Sequence, residues 1–301
     1  MKDSAITNIF ATGKVSEQSA SEAKKTIFGK WNVGSEKNNS TSRSTTECIF
    51  NYIEFTDSSY IMSLSISTDD SGDPESGSIF GNYNLVEVDG LVTEVELFFS
   101  VSGSDIKIAS LTNIEVIETA TELDATFDID FIVDFEEIDI VCNDLSGSYS
   151  ADKEPAMDET TGASADTNHY KVVRNWEITS YTDSNGNDLT YFLLDYCLED
   201  SYNSVTGESD SVLNPDCTVP SKFQVNLSTF GTYVTITLDS SDSPLEIETG
   251  TWDWLNDEQT EFIVDGGQFT GTISSLSETS WTFDAVFIDG TNQSFSFFAV
   301  P

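Results

Sequence analysis

The sequence predicts an all-β protein made of two tandem up-and-down antiparallel β-barrels, and three observations support this fold class. Between residues 250 and 287, large apolar side chains recur at the two-residue spacing of strands, and short polar turns separate them. A weaker copy of the pattern lies in the first half of the chain, which indicates one β unit used twice. The 301 residues are enough for two ordinary domains. Two-sheet β-sandwiches fit the same alternation and are the alternative fold.

The internal repeat rests on short segments that correspond between the two halves. The matching pairs are 77–80 with 250–253, 114–117 with 273–276, and 123–129 with 281–287. Each half also begins with a tryptophan that is followed two residues later by a β-branched residue, Trp31 before Val33 and Trp176 before Ile178. The repeat therefore predicts equivalent strands in two successive units.

The local amino-acid composition predicts where the two domains begin and end. Residues 1–25 are small and polar and are expected to form a flexible N-terminal tail, with one short helix near residues 19–25 as the alternative. Residues 149–168 lose the strand periodicity, are acidic and rich in small residues, and are predicted to be a linker. The two β domains then occupy residues 26–148 and 169–301.

Alternation and turn residues predict the strands of each unit in order. They are 48–55, 60–66, 79–88, 91–101, 106–111 and 123–135, then 170–178, 223–227, 233–238 and the strands of the 250–287 meander. Asp89-Gly90 is a strong two-residue hairpin signal. The stretch 183–188 is predicted to be a hairpin turn, and the polar stretch 197–217 a long loop.

The chain is strongly acidic, with 53 acidic against 12 basic side chains and a formal net charge of −41. Such a field repels nucleic acid and anionic membrane surfaces, so neither is an expected partner. Solubility accounts for the charge without a further function, and binding of cations or of a basic partner is the alternative. No apolar run is long enough to cross a bilayer, so no direct transmembrane span is expected.

The first 25 residues lack the apolar segment of a signal peptide. Either the protein is cytosolic or the sequence begins after a removed signal. The composition is rich in Asp, Asn, Ser and Thr and poor in Lys and His, which favours an exported bacterial protein.

The four cysteines are Cys48, Cys142, Cys197 and Cys217, and none belongs to a Cys-x-x-Cys pair. This spacing argues against a zinc ribbon or a thioredoxin-like site. Two cysteines in each half fit one disulfide per domain, and three pairings are possible. The pairing of 48 with 142 and of 197 with 217 keeps each bond within one repeat and is the one we expect. Four reduced, buried thiols are the alternative.

The residues offer little for catalysis, and no catalytic residue, metal site or cofactor is predicted. The one histidine, His169, stands at the edge of the linker and is expected to be solvated. A single histidine argues against a multi-histidine metal site or a Ser-His-Asp triad. Asp128 and Asp130 share a strand face and could serve as a glycosidase-like pair, although a solvated acidic face is the expected role.

Two acidic clusters have the composition of cation sites, namely Asp183 with Asn185, Asn187 and Asp188, and Asp69 with Asp70, Asp73 and Glu75. A calcium loop that began at Asp183 would need a bidentate glutamate at its twelfth position, where the chain has Leu194. The first cluster is therefore predicted to be a hairpin turn.

The residues at the start and end of each half resemble a known family. Gly29-Lys30-Trp31 matches the Gly-x-Trp of the first lipocalin strand, and Trp176 keeps the tryptophan. The stretch 273–281 matches the repeated ending of lipocalin-like domains on surface lipoproteins of Bacteroidota. Much of each half is thus similar to tandem lipocalin-like (calycin-type) domains of outer-membrane lipoproteins. The resemblance implies small closed barrels and an exported protein at the cell surface or outer-membrane periphery of a bacterium.

Three functions fit these observations. The resemblance and the lack of catalytic residues favour a non-catalytic binding or scaffold protein, an accessory subunit whose partner is a protein of a surface or outer-membrane complex. A carrier of a small apolar or carbohydrate ligand in one barrel, and a glycoside hydrolase that uses paired carboxylates, are the alternatives. Trp252 and Trp254 share a strand face and are the candidate partner-binding residues.

Overall fold

The structure is a computed structural model, and it describes residues 12–34, 46–68, 75–101, 104–118, 123–132, 145–157, 167–189, 198–203, 208–213 and 220–300. The chain divides into two compact units, Met1–Pro155 and Ala156–Pro301. Each unit is a closed antiparallel β-barrel, so the predicted fold class is confirmed.

In the first barrel, each strand pairs with the next one along the chain. Its strands are β2 (Gly29–Val33), β3 (Thr46–Phe55), β4 (Ser59–Thr68), β5 (Glu75–Val88), β6 (Leu91–Val101), β7 (Ser104–Glu118), β8 (Leu123–Phe131) and β9 (Gly147–Lys153). The last strand, β9, closes the barrel by pairing with β2, which places Trp31 opposite Lys153. A two-residue strand, β1 (Gly13–Lys14), pairs with β7.

A helix, α1 (Ala20–Ile27), precedes the first barrel strand and packs on the barrel core through Ala23 and Ile27. The helix begins after Ser19, whose backbone N–H and hydroxyl both donate to the Glu22 carboxylate, at 3.2 and 2.9 Å. These bonds lower the pKa of Glu22. Residues 13–25 thus belong to the first unit, and the short helix predicted near residues 19–25 as the alternative to a flexible tail is confirmed.

The second barrel has the same strand order. Its strands are β10 (Asn175–Asp183), β13 (Lys222–Leu227), β14 (Thr232–Leu238), β15 (Pro244–Trp254), β16 (Glu261–Val264), β17 (Phe269–Leu276), β18 (Ser280–Phe287) and β19 (Asn292–Ala299). The last strand, β19, pairs with β10 and closes the barrel. Between β10 and β13 the chain forms a separate hairpin of β11 (Leu198–Asn203) and β12 (Glu208–Leu213). The prediction of a long loop at 197–217 is therefore wrong for residues 198–203 and 208–213. The backbone groups of these two strands form hydrogen bonds to each other although the sequence there is polar.

A short helix, α2 (Asn168–Val172), precedes β10 as α1 precedes β2. In both units, the indole N–H of the first-strand tryptophan donates to the last helical carbonyl at 2.7 Å, Trp31 to Ile27 and Trp176 to Val172. The strand predicted at 170–178 is therefore a helix in its first part. That helix begins where the Thr167 hydroxyl accepts a bond from the Tyr170 N–H.

A basic side chain also covers each of these two tryptophan rings. The Lys153 ammonium lies 5.1 Å from the centre of the Trp31 ring, and the Arg174 guanidinium lies 5.6 Å from that of Trp176. A cation over an indole face is stabilising. The two units therefore share a helix, tryptophan and cation arrangement at the start of the barrel.

The structure confirms the internal repeat strand by strand. The matching segments lie on the fourth strands (β5 and β15), the sixth strands (β7 and β17) and the seventh strands (β8 and β18) of the two barrels. The Asp89-Gly90 hairpin is also confirmed, with φ angles of 54° and 80° that suit a type I′ turn between β5 and β6.

The end of the first domain differs from the sequence prediction. Residues 149–153 lie in β9, so the predicted linker at 149–168 begins inside the strand that closes the barrel. Only Tyr149 and Ala151 of β9 are buried. The alternation of buried and exposed residues along β9 is therefore too short to be recognised in the sequence. Residues 158–166 of the predicted linker and the last part of the predicted strand 123–135 lie outside the described residues. Within the described ranges, no helix has the length and apolar character needed to cross a membrane.

Candidate binding cavity

The second barrel contains an apolar cavity of about 160 Å³. Of the thirteen described residues that line it, nine are aromatic, three are aliphatic and one is Thr235. Seven of the eight barrel strands contribute to this lining. The wall of the cavity is therefore almost wholly apolar and carries no charged side chain among these residues.

Strand alternation places the rings on the inner face. Trp281 and Phe283 lie two residues apart on β18, and they pair across to Phe297 and Phe295 on β19. The ring centres of Trp281 and Phe297 are 5.4 Å apart, and those of Phe283 and Phe295 are 5.1 Å apart, both with nearly parallel planes. Such offset contacts hold the rings in fixed orientations and give the cavity a stable wall.

Two inward-facing glycines leave room for neighbouring rings. A Cβ atom at Gly271 would come within 2.2 Å of the Phe262 ring, and one at Gly250 within 2.5 Å of the Tyr233 ring. The Tyr233 hydroxyl donates to the Asp265 carboxylate at 2.5 Å, which fixes the ring across Gly250. Burial and the adjacent carboxylate raise the pKa of Tyr233, so its hydroxyl stays protonated as a donor.

Helix α2 covers one end of this barrel, and His169 anchors it there. His169 is 2% exposed, which makes the prediction of a solvated residue wrong. Its Nδ1 accepts a bond from the Trp254 indole N–H at 3.1 Å, so the neutral ring carries its proton on Nε2, 3.0 Å from the Thr229 hydroxyl. Its backbone N–H donates to the Gln259 side chain at 2.9 Å. The ring also stacks on Trp252.

The candidate partner-binding residues take different positions at this end. Trp252 is 3% exposed and lines the cavity, and its indole N–H donates to the Ser228 carbonyl at 3.2 Å. Trp254 is partly exposed and packs against His169 and Phe262. A role for either ring in partner contact remains a prediction.

A smaller cavity lies among the described residues of the first barrel. The cavity found there measures about 20 Å³, close to the volume that one water molecule needs. Trp31, Phe55 and Phe127 close its walls together with branched aliphatic side chains. The two units therefore share a strand order, but the cavities lined by their described residues differ in volume.

The predicted acidic pairs lie away from both cavities. Asp128 lies on β8 and accepts bonds from Asn113 on β7, at 2.7 Å, and from the Ser148 hydroxyl on β9. These donors lower the pKa of Asp128, whereas a glycosidase acid needs a raised pKa. Asp130 is exposed on the same strand and belongs to neither lining.

The cluster at Asp183 forms the predicted hairpin turn. The Asp183 carboxylate accepts from the backbone N–H groups of Asn185 and Asn187, each at 2.8 Å. These contacts, and above all the Asn187 side chain, lower the pKa of Asp183. In the second cluster, Asp69, Asp70 and Asp73 lie outside the described residues.

The disulfide predictions lie mostly outside the described part of the chain. This holds for Cys142, Cys197 and Cys217, and only the backbone of Cys48 is described, within β3. Both pairings therefore remain predictions.

No protein-family model matches the chain, and no curated protein matches it in sequence. The two eight-stranded barrels are consistent with lipocalin-like folds. Function is therefore inferred from the barrel geometry and from the residues that line the second cavity.

The sequence placed six of the cavity-lining residues at strand spacing between residues 250 and 287 but did not show that they surround a cavity. The sequence feature that could have indicated the cavity is the frequent occurrence of Phe and Trp at two-residue spacing between residues 250 and 287, together with Gly250 and Gly271. A barrel whose interior is filled by side chains and a barrel that contains a cavity share this pattern. The spacing of apolar residues along the chain therefore could not distinguish the two.

Proposed function

We propose that the protein is a non-catalytic binding protein whose second barrel holds a small apolar ligand. The observation that carries the proposal is the cavity of about 160 Å³ with an apolar, mostly aromatic wall. An apolar cavity of comparable size, on the order of 150 Å³, can bind benzene in a protein core. The size favours a ligand no larger than a substituted benzene, and it disfavours a carbohydrate, whose hydroxyl groups would lack partners on this wall.

The small size of the cavity among the described residues of the first barrel supports a second, structural role for that unit. The cavity that its described residues line has no room for an organic ligand, so we expect its contribution to function to come through its outer surface. This favours the scaffold function for the first unit, with a protein partner in a surface or outer-membrane complex. The tandem barrels and the Gly-x-Trp motif support the proposal that the protein is exported and resembles a lipoprotein. Disulfide bonds within the units belong to the same proposal.

Ligand binding can be tested with cumene, an uncharged substituted benzene, added to the full-length chain. A ligand that binds only the folded state raises the midpoint of thermal unfolding as its concentration increases. We expect cumene to raise the midpoint of the second unit and to bind saturably in calorimetric titration.

A cavity-filling variant and a matched control locate the site. Val225→Phe adds a ring to the cavity wall and should abolish cumene binding. Val286→Phe makes the same change at an outward position that is 46% exposed, and it should bind cumene as the wild type does. Absence of saturable binding by the wild type, or undiminished binding by folded Val225→Phe, would contradict the proposal.

A further inference from the structure

The cavity of the second barrel is not fully enclosed, and the exposure of its lining residues shows where it opens. Seven of them are buried, namely Leu227, Trp252, Phe262, Val264, Trp281, Phe283 and Phe297. The other six are partly exposed, namely Phe223, Val225, Tyr233, Thr235, Phe269 and Phe295. Tyr233 and Thr235 lie on β14 and pair with Gly250 and Glu248 on β15. We call this part of the barrel the mouth of the cavity.

Glu248 places a carboxylate at the mouth. Residues 248, 250 and 252 alternate along β15, so Glu248 faces the same side as Trp252, which lines the cavity. Trp252 is 3% exposed, whereas Glu248 is exposed. Burial raises the pKa of Tyr233, and the charges of Asp265 and Glu248 raise it further. The inner face of β15 therefore leads from the apolar cavity to a negative charge in solvent.

Asp265 places a second carboxylate at the mouth, and two donors hold it in position. It accepts from the Tyr233 hydroxyl at 2.5 Å and from the Thr251 backbone N–H at 2.8 Å. A Cβ atom at Gly250 would clash with this carboxylate, which shows that it lies on the inner side of β15. Asp265 is exposed, and a carboxylate has about four acceptor sites, so it can receive a further donor.

No basic side chain of the second unit neutralises these two carboxylates. The unit contains only Lys171, Arg174 and Lys222. Lys171 and Arg174 lie on or beside α2, which contacts Trp254. Glu248 precedes Trp254 by six residues, or about 20 Å along a strand. Lys222 pairs with Asp242. Among the described residues, the ion pairs include neither carboxylate of the mouth.

We propose that the ligand of the second barrel is an arylalkyl ammonium ion, whose ring occupies the cavity and whose ammonium group lies at the mouth beside Glu248 and Asp265. This inference rests on the proposed ligand-binding function and adds the charge of the ligand to it. The ammonium group would donate to the carboxylates and lie near the Tyr233 ring, both of which are favourable. It would also keep contact with water, which a charge inside the cavity would lose.

The test compares two probes of nearly equal shape on the full-length chain. 2-Phenylethylamine is protonated at neutral pH, and propylbenzene has a methyl group in place of the ammonium group. Each affinity is measured for the wild type, for Glu248→Gln and for Asp265→Asn, which remove one charge each and keep the side-chain shape. Asp284→Asn, at an exposed outward position of β18, is the matched control because it removes the same charge away from the mouth.

Glu248→Gln and Asp265→Asn should each weaken 2-phenylethylamine binding about two- to fivefold, the range expected for one solvated ion pair. Neither should change propylbenzene binding, and Asp284→Asn should change neither affinity. Because Glu248 is exposed and no hydrogen bond of its side chain holds the described fold, Glu248→Gln decides the test if Asp265→Asn does not fold. Added salt should weaken binding of the amine but not of propylbenzene.

A second variant separates binding at the mouth from attraction of a cation to an acidic surface. Val225→Phe fills the cavity and should abolish binding of both probes, because the ring of the amine would have no place. If folded Val225→Phe still binds the amine as the wild type does, the amine binds to the surface alone and the inference is wrong.

The remaining outcomes distinguish this inference from the proposed function. If the wild type binds propylbenzene but not 2-phenylethylamine, the ligand charge is wrong and the proposed function stands. The same conclusion follows if Glu248→Gln affects amine binding no more than Asp284→Asn does. If neither probe binds the wild type, the proposed function fails and this inference fails with it.

Discussion

At the scale of single residues, His169 shows how one side chain fixes the end of a barrel. Its ring joins α2 to Trp254 and Thr229, which lie on two separate segments of the second barrel. The neutral ring serves as acceptor and donor at once, a combination that alanine cannot supply. Its removal therefore takes one hydrogen-bond partner away from each of these two partly buried side chains.

We expect His169→Ala to lower the free energy of unfolding of the second unit by about 2–3 kcal/mol, because it combines lost packing with unsatisfied polar groups. Tyr170→Ala, at the adjacent residue that is 46% exposed, should change it by less than about 0.5 kcal/mol. Urea unfolding followed by tryptophan fluorescence measures both. Equal effects of the two substitutions would show that the His169 contacts do not stabilise the unit.

Asp128 gives a residue-scale prediction that depends on pH. Its pKa in the folded protein lies below the ordinary value of 3.8, because Ser148 and Asn113 donate to the carboxylate. A lowered folded pKa adds stability above the unfolded pKa, and this stability is lost as the pH falls through the folded value. Asp128→Asn should therefore destabilise the first unit by less than about 1 kcal/mol near neutral pH, since the site is partly solvated.

The difference between Asp128→Asn and the wild type should disappear in acid, below the folded pKa of Asp128, where the wild-type carboxyl is also neutral. Asp130→Asn, on the same strand and exposed, is the matched control. Denaturant titrations at neutral and acidic pH provide the comparison. A constant difference across the pH range would mean that the charge of Asp128 is not the cause.

At the scale of elements, the hairpin of β11 and β12 lies in the sequence between the two cysteines of the predicted Cys197–Cys217 disulfide. Leu198 pairs with Leu213, which makes these the outermost pair of the hairpin. Cys197 directly precedes this pair, and Cys217 follows it by four residues. The pairing of Leu198 with Leu213 is compatible with a Cys197–Cys217 bond, whose two residues lie outside the described part of the chain.

We expect this disulfide to form and to stabilise the second unit by roughly 3 kcal/mol, as estimated for a closed loop of about 20 residues. Intact-mass measurement after alkylation, with and without reductant, counts the free thiols. Alkylation of all four cysteines without reductant would exclude the bond. If the bond exists, replacing Cys197 and Cys217 by serine should lower the stability of the second unit more than that of the first.

At the scale of the whole molecule, each barrel has its own hydrophobic core. The buried apolar residues form one cluster within the first unit and another within the second. Each core is completed by the helix that precedes its barrel, through Ile27 in one unit and Val172 in the other. Such a division predicts two cooperative unfolding units.

We expect calorimetry to show two transitions that respond separately to matched substitutions. Trp31→Phe and Trp176→Phe each remove the 2.7 Å bond from the indole to the preceding helix. Each should lower only the transition of its own unit, by about 1–2 kcal/mol. A single transition, or a shift of both transitions by one substitution, would contradict independent folding.

The sequence by itself determined the features that depend on neighbouring residues. Alternation placed β3, β4, β6 and most other strands to within a few residues. Asp89-Gly90 specified its turn because only a few residue pairs tolerate two positive φ angles in succession. The repeat predicted two barrels because each unit carries the same local pattern. Where that pattern was short or polar, as in β9 and β11, the strands were missed.

Only the tertiary structure decided what the two barrels enclose. The volume of a cavity is the small difference between the volume inside the closed sheet and the volume of the side chains that fill it. Both volumes depend on strands that are far apart in the chain. For the same reason, spacing could not show that His169 is buried against Trp254, or that the Tyr233 hydroxyl donates to Asp265. Local patterns specify which residues face inward, whereas the fit among those residues exists only once the barrel is closed.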